Sequence, residues 1–202
     1  MEDIIDKIIE IEWNYFTNLN NTGGRASCQD NYGEFVITRK SQWENLTLDI
    51  LKSYYDDLME YKKIHRNPLF EKYAYMMEFT HKDEYEKLKP FLPLKNERNE
   101  KIIDMIEEIV MKWEREFVKK YPVLAKITRG VDINDEGSIA STRTYLRGEH
   151  STYSVKTNEL YLKYIQSLSE NLAEKIYTDI FKKKGFVNLE DAENIISSSN
   201  HN

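Results

Sequence analysis

Eight arginines stand among the 29 basic residues of this chain, and the other basic positions are lysines. A chain that uses Lys wherever a plain positive charge suffices makes each Arg informative, because only Arg carries a planar, bidentate fork. Four of them sit in polar, irregular or helix-starting contexts: Arg25-Ala-Ser-Cys-Gln-Asp30, Arg39-Lys-Ser-Gln42, Arg66-Asn-Pro and Tyr145-Leu-Arg147-Gly-Glu149. Such forks match a carboxylate or a phosphate. Two targets satisfy that geometry. Asp30, Asp57, Glu71, Glu78 and Glu149 can take the arginines in internal pairs that fix the fold, or the arginines converge on an external anion.

On the external reading, a polar pocket assembles from the loop around Cys28, the helix start at Asn67 and the Arg147-Gly148-Glu149 segment. Arg25, Arg39, Arg66 and Arg147 would clamp a small anionic ligand, with Gln29, Asn67, Lys72 and Tyr73 as supporting groups. A helix N-terminus at Asn67 adds N–H groups and a positive dipole end. Glu71 or Glu149 is the candidate acid or base if the protein is an enzyme. Cys28, with Arg25 three residues back, is a candidate nucleophile, since a nearby guanidinium favours the thiolate. A lone Cys is more often a small buried hydrophobe. Glu78 and His81 share a helical face, as ligands of di-iron bundles do, but no second such pair accompanies them. No metal or cofactor is assigned.

The elements that must hold these groups are helices. Apolar residues fall at Ile4, Ile8, Ile9, Trp13, Phe16 and Leu19, at Leu48, Leu51, Tyr54, Tyr55, Leu58 and Tyr61, and at Ile102, Ile106, Ile109, Val110, Trp113 and Phe117. That spacing makes one stripe of an amphipathic helix each time. Further helices are expected over about 34–45 and from Asn67-Pro68, with a short one near Asp83. Leu160 to Ile180 steps by four residues up to Lys182-Lys183-Lys184-Gly185, and a weak helical turn lies near Glu190. Residues 20–32 read as an ordered loop and 132–153 as the least regular stretch. The expectation is one all-α domain over 1–196, an irregular bundle of six to eight helices, with a disordered tail at 197–202.

Composition bounds the function class. Seven Gly and four Pro in 202 residues leave few breakers, and 14 Tyr, 8 Phe and 3 Trp supply packing volume. The net charge of −6 argues against non-specific binding to a phosphate backbone. One cysteine excludes an internal disulfide framework and suits a reducing compartment. The acidic start Met1-Glu2-Asp3 is unlike a signal peptide, and no apolar run reaches the roughly 20 residues of a membrane span. The reading is a cytoplasmic protein without nucleic-acid or membrane partners.

At the same residues the chain resembles a bacterial family, domain of unknown function 4125. The resemblance rests on Arg25-Ala-Ser-Cys-Gln-Asp30, Arg39 with Gln42, Ser53-Tyr54 with Asp57, and Arg66-Asn67. It continues through Glu71-Lys72-Tyr73-Ala-Tyr-Met-Met-Glu78, Leu92-Pro93, Tyr145-Leu-Arg-Gly-Glu149 and Thr152-Tyr153-Ser154. It covers about residues 10–170. The chain departs from the pattern at His65, where the family has Gly, and at His81, where it has a small or variable residue. The resemblance brings no activity; some relatives lie beside nucleotidyltransferase-like domains, which implies a partner of that kind. Two functions therefore stand: an anion-binding protein or enzyme, and a non-catalytic helical interaction or regulatory module acting on a partner protein.

Overall fold

The computed structural model describes residues 1–19, 24–128 and 140–199. Among these residues the chain is all helical, with no strand and eleven α-helices: α1 (Glu2–Thr17), α2 (Tyr32–Trp43), α3 (Leu48–Lys63), α4 (Pro68–Thr80), α5 (Lys82–Leu88), α6 (Glu97–Lys120), α7 (Pro122–Ile127), α8 (Thr142–His150), α9 (Val155–Ser167), α10 (Leu172–Lys183) and α11 (Leu189–Ser199). Short 3-10 turns occupy Ser27–Asp30 and Lys89–Phe91.

Side-chain caps explain where the helices begin. Thr47, Ser141, Ser154 and Asn171 each accept a backbone N–H of the first turn of α3, α8, α9 and α10, while Asn67 and Asn96 each accept two for α4 and α6. Each such cap contributes about 1 kcal/mol. They also correct the expected helix number. The four-residue stepping from Leu160 to Ile180 is broken, because Leu168 is extended and Asn171 starts α10 afresh. Pro122 does more than stop α6; at the first helical position it opens α7. The stretch expected to be irregular contains α8, although 129–139 lie outside the described residues. So do 20–23 of the expected loop and 200–202 of the expected tail, whereas 197–199 belong to α11.

The left-handed backbone at the end of α3 falls on His65, with φ of +55°. Non-glycine residues are disfavoured there by roughly 1 kcal/mol. Because the His65 side chain is exposed, His65→Gly should raise the melting temperature modestly. An unchanged or lower value in differential scanning calorimetry would count against that strain.

The 24-residue α6 runs through the molecule and packs against α7, α8, α9 and α10; α1 packs against α2, α3 and α4. The two groups are joined where α3 meets α9, α10 meets α2 and α4 meets α8. Ile8, Leu51, Leu58, Ile103, Ile106 and Leu124 have no measurable exposure. Burying such a side chain contributes about 1.5–3 kcal/mol. Within this apolar frame the polar residues of α1, α2, α4 and α8 face one another.

Candidate functional site

Glu12 is the anchor of the buried polar cluster. It lies on the inner face of α1, between Ile8 and Phe16, with only 1% exposure. Both its oxygens meet the Arg39 guanidinium: Nη2 donates to Oε1, and Nε donates to Oε2 at 2.8 Å. Tyr54 Oη donates to Oε1 at 2.9 Å and Trp43 Nε1 to Oε2 at 3.3 Å. The Arg39 carbon Cζ lies 4.7 Å above the Trp43 ring. Arg39 Nη1 then donates to Gln42 Oε1 at 2.7 Å and Glu149 Oε1 at 2.9 Å. Glu149 also accepts from Tyr153 Oη at 2.7 Å and from Lys72 Nζ at 2.6 Å.

The charges of Glu12, Arg39, Glu149 and Lys72 cancel, and their protonation follows from who faces whom. Burial works against the Arg39 charge, but Glu12 and Glu149 outweigh it and hold its pKa well above the usual value. Burial raises Glu149, yet Arg39 and Lys72 together carry its carboxyl well below the ordinary range. Lys72 is different. Burial lowers its pKa and the Arg39 charge adds to that, so Glu149 does not restore it. The asymmetry is physical: Glu149 answers to two cations, Lys72 to one anion and one cation. Burial raises both Tyr54 and Tyr153, which keeps them hydrogen-bond donors at neutral pH. His150, next to Glu149, is held neutral mainly by burial; its Nδ1 lies 2.6 Å from Asn158 Oδ1.

Gly148 brings the two halves together. A Cβ at this position would lie 2.6 Å from Met76 Cγ and 2.7 Å from the Lys72 carbonyl oxygen. Only glycine lets α8 approach α4 so closely that Glu149 reaches Lys72.

Lys72, Arg39, Glu149 and Tyr153 open onto a cavity of about 910 Å³. Its walls are largely aromatic, with Phe35, Trp43, Trp113, Tyr145, Tyr161 and Phe181 among them. The Lys72 ammonium lies 5.3 Å from the centre of the Tyr145 ring. Of its three N–H groups, one is used on Glu149.

Five of the eleven residues singled out from the sequence line this cavity: Cys28, Arg39, Lys72, Tyr73 and Glu149. The other six do not, and each has a structural task. Arg25 ties the loop down through Asp30 and the carbonyls of Thr17 and Gln29, so its fork is not aimed at the exposed Cys28 thiol. Gln29 is fully buried and donates to the carbonyls of Phe16 and Leu19. Arg147 bonds Asp104 and Glu107 at 2.7 Å. Arg66 Nε meets Glu71 at 2.5 Å, and Glu71 also accepts from Tyr61.

The helix start at Asn67 holds no anion site. Pro68 has no N–H, Leu69 and Phe70 donate to Asn67 Oδ1, and Glu71 donates to the Asn67 carbonyl. Glu78 is paired with Lys95, and His81 Nδ1 lies against Thr80 Oγ1. The expected convergence of four arginines is therefore corrected: only Arg39 reaches the cavity, because each of the others finds a carboxylate nearer home.

The internal pairing of Arg66 gives a direct test. Arg66→Lys keeps the charge but loses the Nε–H that meets Glu71, which is 2% exposed. The expected cost is about 1–3 kcal/mol, read as a lower melting temperature of the unliganded protein. A change within experimental error would mean that Glu71 does not need this fork.

These internal pairs coincide with the segments that carry the family resemblance. The sequence model described as "Protein of unknown function (DUF4125)" matches residues 2–194. The chain belongs to this family. No curated relative and no solved structure matches the chain. In this DUF4125 member, Arg39 and Gln42, Tyr54, Lys72, Glu149 and Tyr153 form one connected cluster at the cavity floor. The other pattern residues build the frame: Asp57 accepts from the Ser154 N–H and from Thr157 Oγ1, clamping α3 to the start of α9. Among the described residues no helix is long and apolar enough to cross a membrane. Sequence reasoning missed Glu12. The signal was present, since Glu12 stands four residues from Ile8 and from Phe16, on the apolar stripe of α1.

Proposed function

We propose that this protein binds a small molecule with an aromatic or apolar body and one anionic head group. The observation that carries the reading is a largely buried Lys72, two N–H groups short of a full donor set, beside Arg39 and Glu149 on the floor of an aromatic cavity of about 910 Å³. That combination is what small-molecule sites need: apolar walls for affinity and a few convergent polar groups for orientation. A single carboxylate or phosphate head would accept from Lys72, while Tyr145 and Trp43 cover the body. Because the four buried charges sum to zero, the head is held by directed donors, and a multiply charged ligand is disfavoured by Glu149 and Glu12. If chemistry follows binding, Glu149, held ionised, is the proton acceptor.

The test is thermal shift with benzoate, indole-carboxylates, sugar phosphates and nucleotides, followed by Trp43 and Trp113 fluorescence. Aromatic carboxylates are expected to raise the melting temperature, with about 2.7 kcal/mol of stabilisation at a hundredfold excess over Kd. Lys72→Met should abolish the shift. Equal binding by Lys72→Met, or no shift with any of these compounds, would refute the reading.

A second reading has its own support. Phe91 and Leu94 are 77% and 97% exposed, and Ile64 and Leu94 border a smaller groove of about 320 Å³. Together with the internal pairing of Arg25, Arg66 and Arg147, this favours an interaction module whose partner, by the family's context, is a nucleotidyltransferase-like protein. A complex lost on Leu94→Ser would support it.

A further inference from the structure

The cavity floor has the composition of a site that does covalent chemistry on a carbonyl. Three observations converge there. Lys72 Nζ is largely buried, its side chain 12% exposed, yet faces the cavity, so its amine meets a ligand bound there. Arg39 supplies a second, permanent positive charge to the same cluster, and a neighbouring cation favours the neutral, nucleophilic form of a lysine. Glu149 bridges the two, 2.6 Å from Lys72 and 2.9 Å from Arg39, so a proton leaving the amine has an acceptor in contact. An ion pair serving structure alone would be as well placed against a packed wall. This one opens on a space large enough for a small aromatic molecule.

We infer that Lys72 forms a reversible imine with a small aldehyde or ketone bearing an aromatic or apolar body. The inference rests on the ligand-binding reading of the same cavity and places a carbonyl group at Lys72 where that reading has the anionic head. Lys72 first gives a proton to Glu149. The free amine then adds to the carbonyl carbon, forming a C–N bond while the C=O electron pair moves to oxygen. That oxygen takes the proton held by Glu149, and the nitrogen returns one to it, which gives the carbinolamine. The nitrogen lone pair expels the hydroxyl, which leaves as water with a proton from Glu149. The product is the protonated imine, its positive charge facing the ionised Glu149 as the ammonium did. The sum is one carbonyl compound and one ammonium giving one protonated imine and one water, with no change of oxidation state. Burial also lowers the Lys72 pKa, which agrees with the geometry.

The experiment uses the full chain, benzaldehyde as carbonyl probe and sodium cyanoborohydride to reduce any imine, with benzylated lysines mapped by peptide mass spectrometry at neutral pH. The free amine is the nucleophile, so Lys72 is expected to be benzylated several-fold faster than the other lysines. Benzoate, which has the same body but cannot form an imine, should slow Lys72 alone. The wild-type map is read without any variant; Lys72→Arg, which keeps the charge, should lose only this one adduct. If benzoate raises the melting temperature but Lys72 reacts no faster than surface lysines, the imine is refuted and the binding reading survives. If benzoate has no effect and Lys72 is not preferred, both fall.

Discussion

Glu12→Gln is expected to cost about 3–5 kcal/mol of folding stability, the usual result of removing one partner from a buried ion pair. The amide keeps the shape of the side chain but has a single acceptor oxygen where the carboxylate offers two. Its NH2 group would then face the Arg39 N–H groups, donor against donor, with Tyr54 and Trp43 competing for what remains. Arg39 is 11% exposed and cannot turn to water without pulling α2 away from α1. Urea unfolding followed by tryptophan fluorescence reads this directly, since Trp43 stands on the cluster. Glu10→Gln, about half a turn round on the exposed face of α1, is the control and should stay within about 0.5 kcal/mol of wild type. Equal small losses at both positions would mean that the Glu12–Arg39 pair does not hold the two helices together.

Gly148→Ala carries the second large effect, and its sign alone is informative. In an exposed helix interior this substitution would stabilise by about 0.8–1.0 kcal/mol through helix propensity. Here the new methyl would stand 2.7 Å from the Lys72 carbonyl oxygen, a backbone atom that yields only if α4 moves, besides 2.6 Å from the adaptable Met76 side chain. A loss of about 1–3 kcal/mol is expected, as for other overpacked interiors. Separation of α8 from α4 also stretches the 2.6 Å bond between Lys72 and Glu149. Binding of an aromatic carboxylate should therefore weaken together with stability. A stabilised Gly148→Ala protein would show that the close approach of the two helices is dispensable.

Local sequence determined the helices, because their signals are local. Asn67-Pro68 reads as a cap followed by a first-turn proline, and α4 starts there. The apolar stripes of α1, α3 and α6 face the core as their spacing requires. Where a stripe ran through a cap, as at Asn171, periodicity overrode the weaker signal and two helices looked like one. The functional residue types were legible for a related reason: Arg in a Lys-rich chain, and Glu149 beside Gly148, are chemically conspicuous whatever their surroundings.

What the sequence could not decide is which carboxylate each arginine meets. Arg39 joins Glu12 and Glu149, 27 and 110 residues away, whereas Arg25 and Arg66 close on partners five residues along the chain. All these pairs have the same chemistry, so residue type cannot distinguish a fork aimed at a neighbour from one aimed across the bundle. Helix packing makes the distinction. The contact of α4 with α8 that Gly148 permits, and that of α1 with α2, place Lys72, Glu149 and Arg39 around one cavity, with Glu12 buried behind Arg39, and leave Arg25, Arg66 and Arg147 outside it. Periodicity records which face of a helix is buried; which other helix it is buried against depends on the shapes of side chains far away in sequence, and only the folded structure brings those together.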